Sequence, residues 1–360
     1  FLVFMRKSRR PTLHLKQTPG QYWRYALPLT QQRQKRLYLA DKKKLLSTMH
    51  DAATNTKIDI LKYQPSSGMG VLNWWGEPTS DMRLAQAGTL SYESEKLTHS
   101  LTLFGQPNIF IRVAADAPLA HWIVRLEDVN PDGSITFITG GLKNAAQRFS
   151  REKPNAIPLH QFFNLHFPLH FTTWTFSKGH KIRVVITNAQ FPMIWPTPYP
   201  MTTKLMVNGP SKIDLPIAPT PLDKNPFLPP VTTSSVSLPS NTNVLRDIPF
   251  TSFKVIHHKD RVIARAKEGY RLKIKQSVYD CLYSVQYSVH NKFPANASFI
   301  GKGRVIITQT HPKRMIKIQS FFHIRSDLKY FYVTVTRKII MPNQKIHSHT
   351  WKERIKRDFQ

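Results

Sequence analysis

A chain of 360 residues is long enough for two ordinary domains with a core each, and 41% hydrophobic with 11% aromatic residues excludes a disordered one. The formal net charge of +31 sits at the ends: residues 1–50 carry 12 Lys/Arg against one acid, residues 251–360 carry 23 against six, and residues 51–250 carry 17 against 14. No stretch approaches the ~18 uninterrupted apolar residues of a membrane helix, so no membrane partner is expected, and the single cysteine, Cys281, excludes an internal disulfide and fits a reducing, cytoplasmic compartment.

Phe1-Leu2-Val3-Phe4 predicts a short strand, its apolar run too brief for the core of a signal peptide. A start on Phe1 reads as the cut edge of a longer protein. A second short strand is expected at Leu37–Leu39, an exposed turn at Lys42-Lys43-Lys44, and an aromatic loop over 68–78 around Trp74-Trp75-Gly76. From Leu90 the pattern turns to β, with β-branched runs at 109–113 and 122–126. Asn130-Pro131-Asp132-Gly133 marks a tight turn, and 134–139 its return strand. Residues 181–187 alternate basic and apolar side chains as a half-buried strand does. Trp195-Pro196-Thr197-Pro198-Tyr199-Pro200 excludes helix and central strand, because three prolines remove backbone donors.

Residues 216–240 have the Pro, Thr and Ser content of a linker. Beyond it, strands are expected at 261–266, 271–275, 278–289, 304–310, 315–324 and 330–341, forming large hairpins with basic residues on a wet face. The fold class that follows is mainly β, a jelly-roll-like β-sandwich followed by a second antiparallel β region.

Chemistry-bearing motifs are sparse. No Gly-x-Ser-x-Gly elbow exists to expose a nucleophilic serine. Gly68-Met69-Gly70 and Gly301-Lys302-Gly303 lack the rest of a phosphate-binding fingerprint and read as turns. His166 and His170, four apart, and His347 and His349, two apart, lack a His-Glu frame or cysteine partners, so no metal site is expected. His166 lies among apolar residues, which favours a hydrogen-bonded structural role. Cys281, inside the strand pattern of 279–283, reads as a buried inert thiol. The basic, aromatic strand at 329–338 suits an RNA-stacking platform. Without an RNP-type signature, and with aromatics at alternate positions that suit a core, nucleic acid is disfavoured as a partner. No catalytic residue and no cofactor is expected.

Leu90-Ser91-Tyr92-Glu93-Ser94-Glu95-Lys96-Leu97, then Arg125-Leu126-Glu127-Asp128-Val129-Asn130-Pro131-Asp132-Gly133, then Gly179-His180-Lys181-Ile182-Arg183 and Asn188-Ala189-Gln190-Phe191-Pro192 resemble the C-terminal β-sandwich of the Xaa-Pro dipeptidyl-peptidase and cocaine-esterase family of serine hydrolases. The Trp-Pro-Thr-Pro-Tyr-Pro-Met run at 195–201 and the ending Trp351-Lys352-Glu353-Arg354-Ile355-Lys356-Arg357-Asp358 look like one subgroup of that family. The resemblance implies a partner absent from this chain, an α/β-hydrolase domain holding the Ser-Asp-His triad, none of which maps onto this sequence. It also implies an organisation. Residues 1–89 would be a connecting segment leaving the catalytic domain, 90–215 the sandwich, 216–249 a Pro-rich linker and 250–360 a basic antiparallel region. Such a sandwich packs on the catalytic domain, and Trp74, Trp75, Trp195 and Tyr199 are the docking candidates, as loop-borne aromatics make large rigid contacts. Packing between the chain's own parts is the competing role for those four. A homo-oligomer stays open, as do a free-standing binding module and a basic nucleic-acid binder.

Overall fold

The computed structural model describes residues 1–13, 15, 17–26, 32–49, 56–69, 80–224, 226, 242–248, 254–311, 313–342, 344 and 346–360. Strand takes up 58% of these residues and helix 3%, which makes the protein mainly β. It divides into two compact units, Phe1–Leu228 with Phe359 and Pro229–Asp358 with Gln360.

The first unit opens with β1 (Leu2–Arg6), β2 (Gly20–Arg24), β3 (Gln34–Ala40), β4 (Lys44–Leu46) and β5 (Lys57–Lys62). It continues with β6 (Leu90–Glu93), β7 (Leu101–Gly105), β8 (Asn108–Ala115), β9 (His121–Val129), β10 (Ile135–Asn144) and β11 (Phe163–Pro168). Then come β12 (Thr172–Phe176), β13 (Lys181–Thr187), β14 (Thr202–Val207), β15 (Lys212–Pro216) and β16 (Asp223–Lys224). An eleven-stranded sheet runs β10-β9-β13-β6-β4-β3-β15-β8-β14-β5, with β11 added beside β8, while β12 pairs with β7 and β1-β2-β16 form a third sheet. The stretch read as a connecting segment therefore supplies β3, β4 and β5 to the large sheet. The three lysines read as a turn form a short 3-10 turn, Asp41–Lys43, with Lys44 opening β4. The start of the Pro-rich stretch is also tied down, as the Ile217 N–H donates to the Arg33 carbonyl and that of Ala218 to Thr102, both at 2.9 Å.

The main core of this unit lies on β9 and β13. Trp122, Val124 and Leu126 of β9 and Ile182, Val184 and Ile186 of β13 pack with Leu103 of β7 and Trp174 and Phe176 of β12. The opposite face of β9 is covered as well, with Ile123 lying among Met82, Ala85, Ile135 and Phe137. A strand buried on both faces reads as a continuous apolar run, as residues 122–126 do.

The second unit holds β17 (Thr242–Ile248), β18 (Lys254–His257), β19 (Arg261–Ile274), β20 (Ser277–His290), β21 (Ala297–Gln309), β22 (Arg314–Ser326), β23 (Tyr330–Ile340) and β24 (His347–Lys356). They form one sheet in the order β17-β19-β20-β21-β22-β23-β24, with β18 beside β19. The two strands expected at 261–266 and 271–275 are one strand, since Glu268 and Gly269, which lie between them, pair with Tyr283 and Leu282. Gly301 and Gly303 likewise lie within β21 and not in a turn. At Gly303 a Cβ would fall 2.5 Å from the Ser320 Oγ and 3.4 Å from the ring of Tyr283, the residue directly opposite, so the glycine makes room for a cross-strand ring.

The register sorts the side chains of this sheet onto two faces. Ala264, Tyr287, Phe299, Ile324 and Val333 line up across successive strands on one face. Their neighbours Arg265, Lys302, Arg325 and Lys338 fall on the other. Cys281, on the apolar face opposite Tyr270 and Val305, is buried. Every residue of the edge strand β24 is exposed.

Candidate functional site

Two halves of the sequence motif come together in the first unit. β9 and β13 pair antiparallel with Glu127 opposite Arg183 and Asp128 opposite Ile182. Alternation then sends Asp128 toward the core and Glu127 to the other face. The Asp128 carboxylate accepts from the Trp174 indole N–H at 3.0 Å and contacts His180 Nδ1 at 2.8 Å. Burial pushes this carboxyl above its usual range, while the hydrogen bonds from His180 and Trp174 pull it back. On the other face Arg125 donates to Glu127 at 2.9 Å, to Gln190 at 3.0 Å and to the Ala85 carbonyl at 3.2 Å. Arg183 lies 3.4 Å from Glu127 and donates to the Ser91 hydroxyl at 2.8 Å. Arg125, Glu127 and Asp128 are fully buried. Each carboxylate of the network is engaged by a cation, a ring nitrogen or an indole, so it binds strands to one another and offers no base to a substrate. The signal for it was in the sequence, as the two motif halves, but only the register shows that they meet.

Of the docking candidates, Trp74 and Trp75 lie outside the described residues. Trp195 and Tyr199 sit half-buried on the segment between β13 and β14. Trp195 meets the buried Phe191 edge-on with ring centroids 6.0 Å apart, and Tyr199 packs on the main core. Their segment is pinned where the Thr197 N–H donates to the Tyr63 hydroxyl at 3.0 Å.

A larger aromatic surface, missed from sequence, forms around β1 and β2. Tyr25 stacks on Phe1 at 5.8 Å and lies 5.1 Å from Phe104, which meets Phe171 edge-on at 5.4 Å. Phe171 is 55% exposed and Phe1 42%. Beside them Trp23, Leu101, Pro219, Pro221 and Leu222 line a cavity of about 710 Å³. The contributing residues come from five separate stretches of sequence, which is why no local motif announces the surface. His166, expected among apolar neighbours, is exposed and stacks flat on Phe110 with centroids 4.2 Å apart.

Residues 6–216 match the X-Pro dipeptidyl-peptidase C-terminal non-catalytic domain. Proteins of Mycobacterium bovis and Mycobacterium tuberculosis named as serine esterases are each 28% identical over 126 residues, covering 30% of this chain and 20% of theirs. Among solved structures, an α-amino acid ester hydrolase aligns with a TM-score of 0.44 at 20% identity over 51% of this chain and 36% of its own. An aminopeptidase of a Thaumarchaeota archaeon aligns with 0.47 at 19% identity, over 55% of this chain and 38% of its own. A CocE/NonD family hydrolase of Staphylococcus aureus gives 0.45 at 12%, over 60% and 41%. The chain thus spans well under half the length of each of these relatives. The family match takes in more than half of the chain and all the strands of the buried network, and the chain belongs to the X-Pro dipeptidyl-peptidase C-terminal non-catalytic domain family.

Proposed function

We propose that the first unit, a jelly-roll-like sandwich, packs on an α/β-hydrolase domain and shapes its substrate cleft, within a serine hydrolase of dipeptidyl-peptidase, esterase or acylase type. The observation that carries this reading is the exposed aromatic surface around β1 and β2. Phe171 and Phe1 are rigid rings left in water at the rim of an already packed cluster, the composition of an interface core. Trp195 and Tyr199 remain candidates for the same contact. The cytoplasm is the compartment that the lone cysteine favours.

The test is labelling of the source cells with a fluorophosphonate serine probe, with the intact mass of the species carrying residues 90–205. The expected result is a labelled protein larger by a whole domain. An unlabelled species near 41.6 kDa would overturn the proposal and favour a free-standing binding module.

A further inference from the structure

We infer that the basic face of the eight-stranded sheet binds single-stranded nucleic acid. Composition alone shows an excess of positive charge, which solvated surfaces can carry without any partner. The register adds segregation. Arg265, Lys267, Lys302 and Lys338 are exposed on one face of β19, β21 and β23. The strands of that face contribute one carboxylate, Asp280, and it is already engaged by Arg246 at 2.8 Å and Arg304 at 3.9 Å. Lys267, Lys302 and Lys338 have no ion-pair partner among the described residues. Cations two residues apart on one strand, such as Lys302 and Arg304, repeat every ~6.6 Å along it, in rows suited to following a phosphate backbone.

Two further observations select the single strand. Tyr330 and Tyr332 fall on this basic face, opposite Lys356 and Arg354. The Arg325 guanidinium lies 4.0 Å from the Tyr332 ring centre and that of Arg354 4.8 Å from Tyr330. Such paired rings and guanidinium planes are platforms on which unpaired bases stack. In mid-sheet, two adjoining depressions of about 410 and 270 Å³ share Ser284, Lys302 and Phe321. Gln319 and Thr336 line the larger and can bond base edges, with Lys302 and Lys338 at hand for the phosphates. A duplex or a bilayer surface would use the charge but leave the rings and depressions idle.

The test is fluorescence anisotropy of a labelled 20-nucleotide oligothymidylate titrated with the full chain at rising salt. Binding is expected to fall linearly on a log–log plot. Lys302→Glu with Lys338→Glu should weaken it at least ~10-fold and flatten the salt slope by about 0.7 per lost phosphate contact. Tyr332→Ala should weaken binding ~5-fold or more with the slope unchanged. Lys96→Glu, on the first unit, should change neither. These cations are exposed, and circular dichroism would verify that the variants stay folded. No binding, equal loss from Lys96→Glu, tighter binding to a duplex of the same length, or binding only to vesicles containing phosphatidylserine would each overturn the inference.

Discussion

Asp128 stands between two donors that have nowhere else to turn. Removing its carboxylate strands the Trp174 indole N–H and His180 Nδ1 in a closed core, at about 1–3 kcal/mol for each. Asp128→Ala should therefore lower the urea midpoint followed by tryptophan fluorescence, and Asp128→Asn, which keeps one acceptor, should lower it less. An equal loss in both variants would count against the paired-donor account. Glu127 is a harsher case, because its partners are charged. Glu127→Gln leaves Arg125 buried without a counter-charge and Arg183 with only Glu93 at 3.8 Å, and a loss of about 3–5 kcal/mol is expected in the same assay. A neutral outcome would mean that water reaches the pair.

At the scale of elements, β10 depends on a close approach. A Cβ on Gly141 would sit 2.8 Å from the Pro168 carbonyl oxygen, and the backbone there is fixed by bonds from His170 to Gly140 and from Leu169 to Pro107. Gly141→Ala should cost about 1–3 kcal/mol, readable as a lowered melting temperature. Between β3 and β15, Arg36 holds Asp214 through two bonds of 2.8 and 2.9 Å and keeps its carboxyl below the usual range. A carboxyl depressed in the fold contributes stability above its unfolded pKa and loses it as pH falls through the folded one. Arg36→Met should thus lose less stability than the parent as the pH falls below the ordinary carboxylate range of about 4. An unchanged acid limb would dismiss the pair as a contributor. Of the first unit's strands beyond Leu90, β8, β9, β10 and β13 were legible in β-branched runs, in alternation and in the Asn-Pro-Asp-Gly turn, whereas β7, β11, β12, β14 and β15 were not expected. The places of β3 and β5 were not, because each pairs with a strand distant in sequence, Leu37 with Ile213 and Ile60 with Lys204. The aromatic surface was hidden for the same reason, as Phe1, Phe104 and Phe171 meet only once the sheets have formed.

For the whole molecule, the excess charge acquires an address. Lysines and arginines that look scattered in the sequence gather on one side of the second unit once β19 to β24 are in register, and no single-strand reading could show it. The end of that sheet has a further consequence. Among the described residues β24 pairs with β23 alone, so its other side holds a row of backbone donors and acceptors with no strand beside it. A row of that kind is a template on which another polypeptide can extend the sheet. Lys352, Glu353, Arg354 and Lys356, all exposed, stand along it. Their charges resist a second copy approaching head-on, and their removal would convert a finished edge into a growing one. Replacing Lys352, Arg354 and Lys356 by threonine should raise the sedimentable, thioflavin-binding fraction on standing at neutral pH. If the triple variant stays dispersed, the guard lies elsewhere on the strand.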